Sequence, residues 1–194
     1  MNKHAIALAL IATFAAGAAV AQEGPWMVRA RAVHLNSANG DSTGLGLSVN
    51  NKTIPEVDFT YFVDKNVALE LILTVPQKHT VYSNGAVLGS LKHLPPTLTV
   101  QYHFDAGAAK PYLGAGVNYT RFSSVNLPAG VTIDRNSFGL ALQAGVDFPI
   151  AKNTYLNVDV KKVFIRTDVA AGGAKIGTFK VDPVLFGVGI GWRF

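Results

Sequence analysis

The sequence predicts an all-β fold, an eight-stranded antiparallel up-and-down transmembrane β-barrel with short periplasmic turns and long extracellular loops. Three observations predict it. From Trp26 onward apolar residues recur with period two, so each segment has one strongly apolar face. The opposite face carries small residues and charges of both signs, not the Lys, Glu and Thr that suit a strand face in water. The connections between segments alternate between tight and long.

The opening stretch, MNKHAIALALIATFAAGAAVAQ, has Lys3 ahead of an apolar run that is shorter than the ~20 residues a bilayer-spanning helix needs. Ala19-Val20-Ala21 then places small residues at both positions a signal peptidase reads. The expectation is a signal peptide over residues 1–21, cleaved after Ala21, and one barrel domain over 22–194. No later segment is apolar for long enough to span as a helix, so strands must accommodate the 49% hydrophobic residues and the mean hydropathy of +0.26. Cysteine is absent, which excludes disulfide staples. The net charge of +5 is scattered along the chain and does not form a nucleic-acid surface.

The segments follow in order. WMVRARAVHLN sets Trp26, Val28, Ala30 and Ala32 against Met27, Arg29, Arg31 and Val33. IPEVDFTYF sets Val57, Phe59 and Tyr61 against Glu56, Asp58 and Thr60, and VALELILTV sets Leu69, Leu71, Leu73 and Val75 against Ala68, Glu70, Ile72 and Thr74. TLTVQYHF opposes Leu98, Val100, Tyr102 and Phe104 to Thr97, Thr99, Gln101 and His103. YLGAGVNYT and SFGLALQAGVDF alternate bulky residues with Gly114, Gly116, Gly139, Ala141, Gln143, Gly145 and Asp147. TYLNVDVKK opposes Leu156, Val158 and Val160 to Asn157, Asp159 and Lys161. The last strand runs from about Lys180, with Val184, Phe186, Val188, Ile190, Trp192 and Phe194 on one face and Gly187, Gly189, Gly191 and Arg193 on the other. Joins near Asp64, Gly107 and Ala151 are tight, whereas those over 36–53, 77–95, 121–136 and 167–179 are long.

A soluble lipocalin-like barrel would turn the apolar face inward and leave the glycine-rich face in water. Small residues and paired charges fit the crowded interior of a narrow barrel better, so the apolar face is read as lipid-facing. Trp26, Phe104, Tyr112, Phe148, Tyr155, Trp192 and Phe194 lie near strand ends beside short turns or termini, where an interfacial aromatic girdle is expected. Within it, Trp26, Trp192 and Phe194 are the membrane-interface residues.

LPPTLTVQYHF (Leu94 to Phe104), KPYLGAGVNYT (Lys110 to Thr120) and the closing GWRF resemble the OmpW family of eight-stranded outer-membrane barrels. The resemblance spans Gln22 to Phe194, and Pro95-Pro96 before Thr-Leu-Thr is its most specific stretch. It implies localisation in the bacterial outer membrane, long loops that extend the barrel, an apolar channel in the extracellular half, and uptake of small hydrophobic molecules. It implies no catalytic residues. The last strand, ending in Phe194, also resembles the signal by which barrel-assembly machinery recognises its clients.

The residues themselves suggest a mechanism. Arg29, Arg31, Glu56, Asp58, Glu70, Asp147, Asp159, Lys161 and Arg193 lie on the inward face and should form a charge network that closes the periplasmic half. The long connections are unusually apolar, and Tyr82, Val87, Leu88, Leu91, Leu127, Ile133, Ile176 and Phe179 are the candidate lining of a vestibule for a small hydrophobic ligand. Over a closed floor, the ligand would leave sideways into the membrane. The expected partners are outer-membrane lipid and lipopolysaccharide, the hydrophobic ligand, and the assembly machinery. The alternative functions are a structural or receptor barrel that displays its loops and, remotely, a lipid-modifying enzyme built on Ser137 and His103. The spacing of His79, His93 and His103 is not metal-like, and no cofactor is expected. GVGIG is followed by no helix and is not a dinucleotide loop.

Overall fold

A computed structural model describes residues 24–194. The expected signal peptide lies outside the described residues.

Among the described residues fifteen strands follow one another: β1(Trp26–Asn36), β2(Gly40–Asp41), β3(Leu47–Val49), β4(Lys52–Phe62), β5(Val67–Thr74), β6(Gln77–Ser83), β7(Ala86–Leu94), β8(Thr97–His103), β9(Lys110–Asn126), β10(Val131–Ile133), β11(Asn136–Ala151), β12(Thr154–Val163), β13(Arg166–Ala171), β14(Ala174–Lys180) and β15(Val184–Arg193). Eight of them, β1, β4, β5, β8, β9, β11, β12 and β15, pair antiparallel in chain order. Pairing of β15 with β1, in register from Met27↔Arg193 to Asn36↔Val184, closes the ring and leaves no free edge.

The remaining strands lie in the four long connections, which are ordered rather than irregular. β6 and β7 form a hairpin through Asn84-Gly85, with φ of 46° and 83°, and β13 and β14 form another through Gly172-Gly173. Left-handed backbone at both central residues gives the turn the twist that suits a hairpin, which is why Asn-Gly and Gly-Gly stand there. Strands β10, β13, β14 and β2 make a small second sheet, and β3 adds to β6. Main-chain pairing thus ties the loops together beyond the membrane.

Period two decides which side chains meet lipid. Leu69, Leu71, Val100, Val117, Leu140, Leu142, Phe186 and Val188 are exposed on the outer wall. A hydrocarbon solvent removes the cost that water would impose on such a surface. The glycines of the inward face make room. A Cβ on Gly145 would fall on the ring of its cross-strand neighbour Tyr112, so a bulky side chain at 112 requires glycine at 145.

The aromatic girdle needs one correction. Tyr112 and Tyr155 are buried inside the barrel, because they share the inward parity of Gly114 and Asn157. Proximity to a strand end does not override the alternation.

Candidate functional site

Strand β1 shows the layering of the lumen. From the periplasmic end its inward residues are Met27, then Arg29 and Arg31, then Val33 and Leu35. The antiparallel β4 gives the same order reversed, with Ile54 above Glu56, Asp58 and Thr60, and Phe62 below. A small apolar cluster of Met27, Phe62, Ala68 and Tyr155 therefore underlies a polar layer, and a large apolar layer covers it.

The polar layer is centred on two arginines. Arg29 holds Asp147 through Nε at 3.2 Å and Nη2 at 2.7 Å, while its Nη1 donates to Asp58 at 3.1 Å and Thr60 at 2.8 Å. Arg31 reaches Glu70 at 3.0 Å, Asn157 at 3.2 Å, Glu56 at 2.9 Å and Asp58 at 2.7 Å. Its contacts with Glu56 and Asp58 are charge contacts too bent to count as hydrogen bonds. Lys161 bridges Glu56 at 2.7 Å and Asp159 at 2.6 Å. Five carboxylates thus face three cations, and neutral donors take up the surplus acceptor capacity. Tyr112 Oη and Gln143 Nε2 donate to Asp159 at 2.9 and 2.8 Å, Gln101 Nε2 to Glu70 at 2.8 Å, and Asn157 Nδ2 to Asp147 at 2.8 Å. Such a layer is costly to dissect, since removal of one partner strands another charge out of water.

Arg193, the ninth candidate, points inward at the periplasmic rim, its guanidinium carbon 3.9 Å above the Phe62 ring and its Nε donating to the Gly24 carbonyl at 2.9 Å. At the same end Trp26 packs on Tyr61 with ring centroids 4.8 Å apart. Phe194 N donates to the Trp26 carbonyl at 2.8 Å, and half-buried Trp192 pairs with Val28. The neutral donors Gln101, Gln143, Asn157 and Tyr112, the last expected in the girdle, are network members that the charge pattern alone does not pick out, although their inward parity beside the charges marks them.

The upper layer gathers Val33, Leu35 and Ile54 from the barrel wall with Leu91, Phe122, Val169 and Phe179 from the loops. Of the eight vestibule candidates, Leu91 and Phe179 are buried in it, and Leu88, Leu127 and Ile133 pack against it. Tyr82, Val87 and Ile176 do not belong to it. Val87 is 71% exposed, Ile176 37% exposed, and half-buried Tyr82 is cross-strand from Val87 on the outer face. Strand parity accounts for Tyr82 and Ile176, and a β-bulge accounts for Val87. Regular alternation from Leu91 would turn Val87 in and Leu88 out, but Leu88 is the extra residue of a bulge between Val81/Tyr82 and the two exchange faces. Ile176, an odd three positions from inward Phe179, faces out by regular alternation, and the bulge opposite Val169/Ala170 leaves it unpaired.

Between the layers lies a cavity of about 20 Å³, lined by Ile72, Thr74, Pro95, Thr97, Lys161 and Val163 among others, with room for about one water. It adjoins a break in the wall. The β5–β8 ladder ends at Ile72↔Thr97, and Pro95 and Pro96 have no N–H to continue it.

Two histidines meet above this point. His79 and His93 pack with ring centroids 4.6 Å apart and planes inclined by 49°, both buried, each with an Nε2 that meets no hydrogen-bond partner. His79 Nδ1 lies 2.9 Å from the Asn50 carbonyl, which can only accept, so Nδ1 carries the proton. Burial, with Lys52 nearby, pushes His93 down to about 3 and lowers His79. His103 is at the opposite end of the barrel on Gln101, and Ser137 is at the extracellular end accepting from Arg166 N, so the Ser137–His103 pair is not formed. No group of three or more His, Cys, Asp or Glu that could hold a metal ion occurs among the described residues.

The model of the OmpW family matches residues 17–194. The chain belongs to the OmpW family. A relative named uncharacterized outer-membrane protein y4mB, from Sinorhizobium fredii, is 41% identical over 184 residues, covering 88% of this chain and 80% of that one. Another, the dibenzothiophene metabolism operon protein PahQ of Pseudomonas aeruginosa, is 28% identical and 90% of each chain is covered. The crystal structure of OprG from Pseudomonas aeruginosa superposes with a TM-score of 0.78 at 27% identity, covering 89% of this chain and 97% of that one. This OmpW-family chain is therefore a β-barrel of the bacterial outer membrane, and its relatives are outer-membrane barrels.

Proposed function

We propose that this OmpW-family barrel takes up small hydrophobic molecules, receiving them in the apolar layer and releasing them sideways into the membrane. The observation that carries this reading is the apolar layer resting directly on a buried ion-pair floor. An apolar solute gains from the upper layer and would have to part fixed charges to go further down. The wall beside Thr74 and Pro95, where the β5–β8 ladder has already ended, is the exit in this reading. The relative PahQ, named for a dibenzothiophene metabolism operon, supports an apolar aromatic ligand. Leu91 and Phe179 from the two hairpins are buried in the layer and cover it, so entry requires the β6–β7 and β13–β14 hairpins to part.

The test is uptake of naphthalene by cells or proteoliposomes with wild type, Leu88→Asp and Thr74→Phe. Leu88→Asp places a charge against the apolar layer and should abolish the protein-dependent rate, and Thr74→Phe should slow it by obstructing the wall. Unchanged uptake in Leu88→Asp, with the barrel still folded, overturns the reading.

A further inference from the structure

The cations on the extracellular side are unevenly used. Arg166 pairs with Asp182 at 3.1 Å and Lys175 with Asp168, while Asp41 accepts from Thr43 and Leu47. Lys78, Lys92 and Arg121 have no ion pair among the described residues. Yet they are neighbours. Lys78 is directly cross-strand from Lys92, Lys92 from Ser123, and Arg121 is two residues from Ser123 on the same face of β9. Like charges placed directly opposite destabilise a strand pair, so the sheet carries this repulsion with no carboxylate to relieve it.

The position of the three is equally specific. Going down the outer face of β9, Arg121 is followed by Tyr119, Val117, Ala115 and Leu113, all turned to lipid. Arg121 is cross-strand from Leu94, and Lys92 and Lys78 stand one step further out. One step of two residues is about 6.6 Å and one strand spacing about 4.8 Å, so all three side chains reach a single tetrahedral anion. That anion would lie where the lipid-facing surface ends. A free anion has no use for the apolar rows beneath, whereas a lipid carries a headgroup charge at this height with its chains below.

We infer that Lys78, Lys92 and Arg121 bind a phosphate on the headgroup of an outer-leaflet glycolipid, whose acyl chains lie along Leu94, Tyr119, Val117 and Leu98. Arg121 is suited to two oxygens at once, and the two lysines act as point charges beside it. The site is on the outer wall, and its occupancy does not depend on a ligand in the lumen.

The folded full-length barrel in a neutral detergent, titrated with bis-phosphorylated lipid A and read by native mass spectrometry, tests this. Wild type should bind the lipid, and the Lys78→Gln/Lys92→Gln/Arg121→Gln variant should bind it more than about tenfold more weakly, given the contribution of each cation near an anionic lipid surface. Lys152→Gln, at a periplasmic turn, should bind as wild type does. Circular dichroism verifies that each variant is folded, and Arg121→Gln alone, expected to weaken binding, replaces the triple variant if that one does not fold. Equal affinity of wild type and variant overturns the proposal. Equal affinity of wild type for dephosphorylated lipid A also overturns it, as does displacement of the lipid by equimolar inorganic phosphate, which would make the site one for free phosphate.

Discussion

Arg29 and Asp147 form a two-point ion pair, Nε to Oδ1 at 3.2 Å and Nη2 to Oδ2 at 2.7 Å, with both side chains out of solvent. The pair links β1 to β11 across the lumen, 118 residues apart in the chain. Substitution of Arg29 by Met strands Asp147 and removes a partner of Asp58, and should cost about 3–5 kcal/mol. Denaturant unfolding in a lipid bilayer measures it. Adding Asp147→Leu should recover part of the loss, because the stranded carboxylate is gone.

Gly145→Val should expel the Tyr112 ring and break its bond to Asp159. The same measurement on Ala144→Val, one residue along and on the lipid side, should show a change within about 0.5 kcal/mol. Equal effects at the two positions would contradict the inward placement of Tyr112.

The β6–β7 hairpin should loosen in mild acid. Unfolded histidine binds a proton near pH 6.5, whereas His93 in place is pushed down to about 3. Between those values the open hairpin holds a proton that the closed one excludes. Stability is therefore complete above about pH 6.5 and falls as pH drops, by roughly 1.4 kcal/mol per pH unit at most. Amide exchange in β6 and β7, corrected for its intrinsic pH dependence, should show lower protection at pH 5 than at pH 7.5. His93→Leu should flatten the difference.

Leu91→Ala removes a buried side chain from the apolar layer and should destabilise the loop assembly by about 2–5 kcal/mol. Val87→Asp, on the outside of the same hairpin, should leave both hairpin protection and naphthalene uptake at the wild-type level. A loss with Val87→Asp equal to that with Leu88→Asp would show that the bulge does not separate their faces.

The sequence by itself determined the eight barrel strands and the two faces of each, because a side-chain period of two needs no knowledge of partners. It also determined that Arg29, Arg31, Glu56, Asp58 and Lys161 share the inward face, since each stands on the parity of small or polar neighbours. Tertiary structure alone decided which carboxylate meets which cation, because that depends on ring closure and on register between strands far apart in the chain. It also decided the fate of the loop residues. Val87 and Leu88 are alike in composition, and a single extra residue in the β6–β7 hairpin sends Leu88 inward and leaves Val87 outside. A bulge depends on pairing with the opposite strand, so its effect on facing cannot be read from one strand's own pattern.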